Sequence, residues 1–232
     1  MAISIKSGSV YDSQEEVWMS MWLEELQKAG YVRFWRRNVD PILITPAYKI
    51  DYVKKIELKT KTKYEEKEFT LLQDLQYTPD FELAFTKKGY HFFCSPRSGN
   101  VKPNRYFFQR QDETFFIEVK PTFDQHEKTA KFSLIQKFLW DKYRMFVDLI
   151  IPEHLFKDTF MPLAAMDDFR YKKAPTGKNK GKKKAGDWKV DYIPKTLKEF
   201  INEVDQFGNK LADFTCIVRS GGGSTKGEKG EA

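Results

Sequence analysis

Glu118 and Lys120 stand two residues apart in Phe115–Phe123, FFIEVKPTF, a stretch otherwise apolar enough for a core strand. Burying a carboxylate or an ammonium is expensive unless the charge is paired, hydrated or bound to a metal. Acid-x-lysine triplets carry little information alone. Four occur here, beginning at Glu57, Glu65, Glu118 and Asp187, which is what the composition yields by chance. Glu57 and Glu65 lie among scattered charge and Asp187 closes a basic stretch; only Glu118 sits where its neighbours demand burial. Side chains two apart on a strand share a face, so Glu118 and Lys120 project together while Ile117 and Val119 point the other way.

A second carboxylate obeys the same rule. Pro79-Asp80, the one Pro-Asp dipeptide in the chain, leads into FELAF, where Phe81, Leu83 and Phe85 share a face that Asp80 does not. If this strand neighbours that of Glu118, the two carboxylates approach, and each resists ionisation unless a cation lies between them. A hard divalent ion such as Mg²⁺ typically takes one or two carboxylates and keeps several waters. A lysine beside it can position or deprotonate an attacking water, or steady developing charge. The bland alternative for Glu118 and Lys120 is a salt-bridged edge strand.

YTPDF followed by FFIEVKP resembles the core signature of the PD-(D/E)XK nuclease superfamily, over residues 13 to about 151. The resemblance implies an α/β, restriction-endonuclease-like core with a central mixed sheet flanked by helices. It implies that Asp80 and Glu118 ligate Mg²⁺ or Mn²⁺, with the Val119 main-chain carbonyl as a further ligand, and that Lys120 assists the water. Phage-type endonucleases and some junction resolvases add a helix acid in the form of a serine with a glutamate three residues later. That form is found here in Ser13-Gln14-Glu15-Glu16 and assigns Glu16 to the site. Glu15 is the neighbouring alternative, and a helix-capping role alone would account for Glu16.

The implied function is a metal-dependent DNA endonuclease, with branched DNA of the Holliday-junction kind as first substrate and phage replication, recombination or packaging as its setting. A homodimer is expected, because a resolvase cuts two strands. Two alternatives use the same residues differently: a DNA-binding accessory protein that kept the fold without the chemistry, and a transposase-like subunit cutting one DNA end inside a larger assembly. Asp80 and Glu118 are 38 residues apart, longer than a compact hairpin, so an insertion at about 86–113 is assumed.

The elements that must position these groups follow from periodicity. Ser13–Gly30 reads as a helix, with Ser13 as N-cap, Glu16 completing a capping box, and apolar residues at Trp18, Met19, Trp22, Leu23 and Leu26. Residues 31–77 read as strands broken by Pro41 and Pro46. Lys88-Gly89 marks a turn, and YHFFCSPRSGNVKPNRYFFQR reads as two short aromatic strands around a loop. A helix is expected over about 125–143, then a strand in RMFVDLII ended by Pro152. With the resemblance, the expected organisation is a nuclease core at 1–152 and an extension at 153–218. The extension carries a disordered lysine loop at 172–186 and a helix at about 195–214, and a disordered tail follows at 219–232.

The charge of +7, from 40 basic and 33 acidic residues, is compatible with a polyanionic partner without establishing one. Residues 172–184 hold seven lysines and no acid. Candidate DNA contacts there are Lys172, Lys173, Lys182, Lys183 and Lys184. Others are Arg36 and Arg37 beside Trp35, which could equally pack in the core, and Lys131 on the second long helix, near Gln136. Arg97, Lys102, Arg105 and Arg110 alternate with aromatics in the insertion, and His126 follows the Glu118 strand. No apolar run approaches the roughly 18–20 residues of a bilayer span. The start lacks the charged and apolar regions of a secretory signal. Cys94 and Cys216, far apart, read as free thiols of a reducing cytoplasm, the host's if the chain is phage-encoded.

Overall fold

The computed structural model describes residues 3–4, 10–94, 107, 114–122 and 127–208. The chain is a mixed α/β fold around one central sheet. Two short strands, β1 (Ile3–Ser4) and β2 (Val10–Tyr11), pair and lead into α1 (Gln14–Lys28). Ser13 caps α1 as expected. Its hydroxyl accepts from the Glu16 N–H at 3.2 Å and donates back to Glu16 Oε1 at 3.3 Å. The helix ends where Gly30, at φ +76°, takes the left-handed conformation that lets Tyr31 N–H reach the Leu26 carbonyl at 2.9 Å.

The central sheet contains β3 (Val32–Arg37), β8 (Phe81–Phe85), β9 (Thr114–Val119) and β10 (Val147–Ile150), in the order β10-β9-β8-β3. β10 runs parallel to β9, and the other two pairings are antiparallel. Between β3 and β8 the chain leaves the sheet through β4 (Ile42–Thr45), β5 (Tyr48–Glu57), β6 (Thr62–Leu72) and β7 (Leu75–Tyr77). β4 pairs with β7, and β5 and β6 form a long antiparallel ribbon whose side chains are almost all exposed.

One face of the sheet carries the large core. Trp22, Leu23 and Leu26 of α1 meet Phe81, Leu83, Phe115 and Ile117, as strand period two requires. Residues beyond 152 complete this core. α4 (Pro152–Asp158) contributes Leu155 and Phe156, and α5 (Leu197–Gly208) contributes Phe200, which stacks on Phe93 at 5.5 Å. The other face is covered by α3 (Glu127–Tyr143) and by β4 and β7, around Ile44, Leu139 and Val147.

Two expectations are corrected. The first aromatic segment of the insertion is not a strand but a helix, α2 (Lys87–Cys94), and Gly89 lies within it rather than at a turn. Gly89, Phe92 and Phe93 are all buried, a helical i, i+3, i+4 set; alternation would have sent Phe92 and Phe93 to opposite faces. Thr86 starts the helix, its hydroxyl accepting from Gly89 N–H at 3.1 Å and donating to the Gly30 carbonyl at 2.9 Å. The approach to the turn after α1 is so close that a Cβ on Gly89 would lie 1.8 Å from the Tyr31 carbonyl oxygen. Gly89→Ala should therefore displace α2 and cost about 1–3 kcal/mol of overpacking, read as a lower midpoint in urea unfolding at unchanged m-value.

The second correction concerns the lysine loop, which is closed at its base rather than featureless. Tyr171 N–H donates to the Asp187 carbonyl at 2.9 Å, Gly186 N–H to the Tyr171 carbonyl at 2.7 Å, and Arg170 bridges to Trp188. Between them lie turns and one 3₁₀ turn, Gly177–Asn179. The tail and the end of the expected last helix, 209–214, lie outside the described residues.

Candidate active site

The antiparallel pairing of β8 with β9 puts Phe81 opposite Ile117 and thereby brings the two sequence-predicted carboxylates together. Asp80 extends the ladder by one residue: its N–H donates to the Ile117 carbonyl at 2.9 Å, and its Oδ2 accepts from Val119 N–H at 2.7 Å. Glu118, with 11% of its side chain exposed, and Lys120, with 22%, form an ion pair. Lys120 is anchored by its N–H to the Ile150 carbonyl at 2.9 Å. Val119 turns its side chain into the large core. The shared face anticipated for Glu118 and Lys120 is thus present, with Ile117 and Val119 buried behind it.

Three further groups frame the pair. The Tyr77 hydroxyl, at the end of β7, donates to Glu118 Oε2 at 2.7 Å. Burial first, and then the Glu118 carboxylate, hold this phenol well above its ordinary range, so it stays a donor. Glu16, buried at the start of α1, receives Arg37 Nη2 on Oε2 at 3.0 Å. Arg37 also lies over the Tyr11 ring at 3.7 Å. Glu82, on the same sheet face as Asp80, is neutralised by Arg36 at 2.5 Å.

The electrostatics follow from this crowding. Asp80 has its pKa pushed up to about 7, first by burial, then by the Glu118 charge, with Glu16 adding to it and the Val119 N–H and Lys120 opposing. When ionised, Asp80, Glu118 and Glu16 set three negative charges against Lys120 and Arg37, leaving an excess that suits a cation. Among the described residues no three His, Cys, Asp or Glu side chains form a metal cage by themselves. Asp80 and Glu118 nevertheless fit a Mg²⁺-type ion, which needs only one or two carboxylates and draws its other oxygens from water and phosphate.

The remaining candidates divide. Arg37 serves Glu16 and Arg36 serves Glu82, so the positions chosen for DNA contact are held by acids of the protein itself. Trp35 is half-buried and packs against Phe81 at 6.1 Å. Gln136 ties α3 to β10, donating to the Met145 carbonyl at 3.0 Å and accepting from Val147 N–H at 2.8 Å. Lys131, Lys172, Lys173, Lys182 and Lys184 are exposed and Lys183 is half-buried; none of them contacts the carboxylates. Arg97, Lys102, Arg105, Arg110 and His126 lie outside the described residues. Glu15 is half-buried, and the charge acting on Asp80 from α1 is that of Glu16.

Sequence reasoning missed Tyr77 as a partner of Glu118, although Tyr77 stands inside the YTPDF motif; its proximity depends on β4–β7 pairing beside the sheet. It also missed Asp148, buried in β10 opposite Ile117, whose only signal was an acid inside the apolar run FVDLII. Tyr77→Phe removes the donor to Glu118 Oε2 and should cost about 1–2 kcal/mol of stability, the value of one hydrogen bond to a charged group, read as a lower midpoint in urea unfolding. No protein-family model, curated protein or solved structure matches this chain.

Proposed function

We propose that the chain is a metal-dependent DNA endonuclease built on a restriction-endonuclease-like core, of the PD-(D/E)XK kind. The observation that carries this reading is the Asp80–Glu118–Lys120 constellation. Two nearly buried carboxylates share one face at the end of paired strands, with an ammonium beside them and Asp80 bound to the backbone of the Glu118 strand. A purely structural ion pair would need Glu118 and Lys120 alone; Asp80 adds a second, half-buried carboxylate whose ionised form destabilises the fold unless a cation offsets it.

Asp80 and Glu118 would hold Mg²⁺ or Mn²⁺, with the Val119 carbonyl and Glu16 as further contributors. A bound ion supplies an acidified water and neutralises charge on the phosphate. The chain's own residues do the rest. Tyr77 fixes one Glu118 oxygen, Lys120 places its side-chain nitrogen over the same face, where phosphate charge would grow, and Arg37 pins one Glu16 oxygen. In the reaction water's oxygen forms one P–O bond while another breaks, and the leaving oxygen takes a proton.

Branched DNA is the first substrate to test and a homodimer the form expected to cut it. The test is cleavage of a labelled four-way junction and of a matching linear duplex with Mg²⁺, Mn²⁺ or EDTA. Metal-dependent cutting of either supports the reading, and the preferred DNA identifies the substrate. Binding without cutting in every metal favours an accessory role or a subunit that needs a partner.

A further inference from the structure

We propose that the β5–β6 ribbon is an arm whose lysine-rich tip grips duplex DNA beside the site. The ribbon is rooted at the site's edge. β6 ends at Leu72, five residues before Tyr77 and eight before Asp80, and β4–β7 pairing closes its base. Ten paired positions, at about 3.3 Å each, make an arm on the order of 30 Å long. Only Ile56, Glu65 and Thr70 of its strand residues are even half-buried. An isolated two-stranded ribbon is marginal in water, so an arm of this length implies a surface to lie on.

Its charge selects the surface. Residues 54–63 hold five lysines and one acid, a net +4. The stem, residues 48–53 and 64–72, holds two lysines and four acids, a net −2. Two of the four stem acids are answered internally, Glu68 by Lys49 at 2.7 Å and Glu65 by Lys63 at 2.7 Å and Lys67 at 3.4 Å. Lys54 lies across from Glu65, but that carboxylate is taken by Lys63 and Lys67. Lys54, Lys59 and Lys61 make no ion pair among the described residues, which leaves three ammonium groups at the tip for phosphates. A two-stranded ribbon also has a width that the major groove of duplex DNA admits. The weakly acidic stem, with Tyr52 and Phe69 exposed, would instead suit a second copy of the chain; the charge asymmetry makes DNA the stronger choice.

The inference rests on the nuclease reading for the identity of the polyanion. It is tested by fluorescence anisotropy of a labelled 30-base-pair duplex (about three turns) in EDTA across a KCl series, comparing the full chain with K54Q/K59Q/K61Q. The slope of log affinity against log salt should shrink by about 2–3, close to 0.9 for each phosphate that is no longer neutralised. In cleavage assays the variant should raise KM and leave kcat unchanged. An unshifted melting temperature verifies the fold, and the single variants K59Q and K61Q should each give part of the slope change. Equal slopes for a wild type that binds and cuts DNA would overturn the arm and leave the nuclease reading standing. A wild type that neither binds nor cuts would overturn both. If Y52E/F69E turns a dimer into a monomer while the lysine variant binds like wild type, the ribbon joins copies and the proposal fails.

Discussion

Glu118→Gln is expected to abolish metal-dependent cleavage, by about a thousandfold or more, equivalent to roughly 4 kcal/mol of transition-state stabilisation. The substitution keeps shape and volume, and the amide oxygen can still accept from Tyr77, so the packing around β9 survives. What it removes is one of the two charges that would hold the ion and the counter-charge to Lys120. Two readouts separate this from a folding defect. The variant should melt at or above the wild-type temperature in EDTA, because the repulsion between Glu118 and Asp80 is gone. Wild type should gain stability from added Mg²⁺, about 2.7 kcal/mol at a hundred times its Kd, and the variant should gain little. A variant that cuts DNA normally in Mg²⁺ would remove Glu118 from the chemistry and return it to the status of a structural ion pair.

Asp80→Asn is expected to do two opposite things, ending cleavage while stabilising the metal-free fold above neutral pH. Asp80 titrates at about 7 in the fold against an ordinary 3.8, because burial and the Glu118 charge disfavour its ionised form. The folded state therefore binds a proton more tightly than the unfolded state between those values, and stability falls as pH rises through that window. Below about pH 4 both states are protonated and the residue is neutral to stability. Above about pH 7 the ionised group carries its full penalty, on the order of 2–4 kcal/mol in metal-free buffer. An asparagine carries no such charge, and its side-chain oxygen can still accept from Val119 N–H. Thermal melts of the two proteins in EDTA should accordingly coincide near pH 4 and diverge by pH 8, with the variant higher. Added Mg²⁺ should close the gap by stabilising wild type alone. A gap that is absent at pH 8, or that widens towards acid, would show that Asp80 is not under the strain described.

Much of the site was legible without coordinates because it depends on local period. Alternation alone puts Glu118 and Lys120 on one face with Ile117 and Val119 on the other, and Asp80 opposite Phe81, Leu83 and Phe85. Ser13 and Glu16 are legible in the same way, since a cap and its partner lie within one turn. Local signals failed where two patterns share a composition. Tyr90–Cys94 is aromatic enough for a strand, and only the seat of Gly89, Phe92 and Phe93 against Tyr31 and the core selects a helix.

What only the tertiary structure decided is which distant groups meet. β8 lies against β9 although Asp80 and Glu118 stand 38 residues apart in the chain, and this pairing alone joins Asp80 to Val119. Tyr77 reaches Glu118 from a separate pair of strands, Arg37 turns to Glu16 instead of outward, and Gln136 serves β10. The residues that complete the large core come from beyond position 152, where the sequence showed no chemistry. Face and cap are fixed by backbone geometry within a few residues, so the sequence determines them by itself. Strand neighbours and ion-pair partners are chosen by the packing of the whole chain, in which many pairings of similar local quality compete and only burial of the common core selects one.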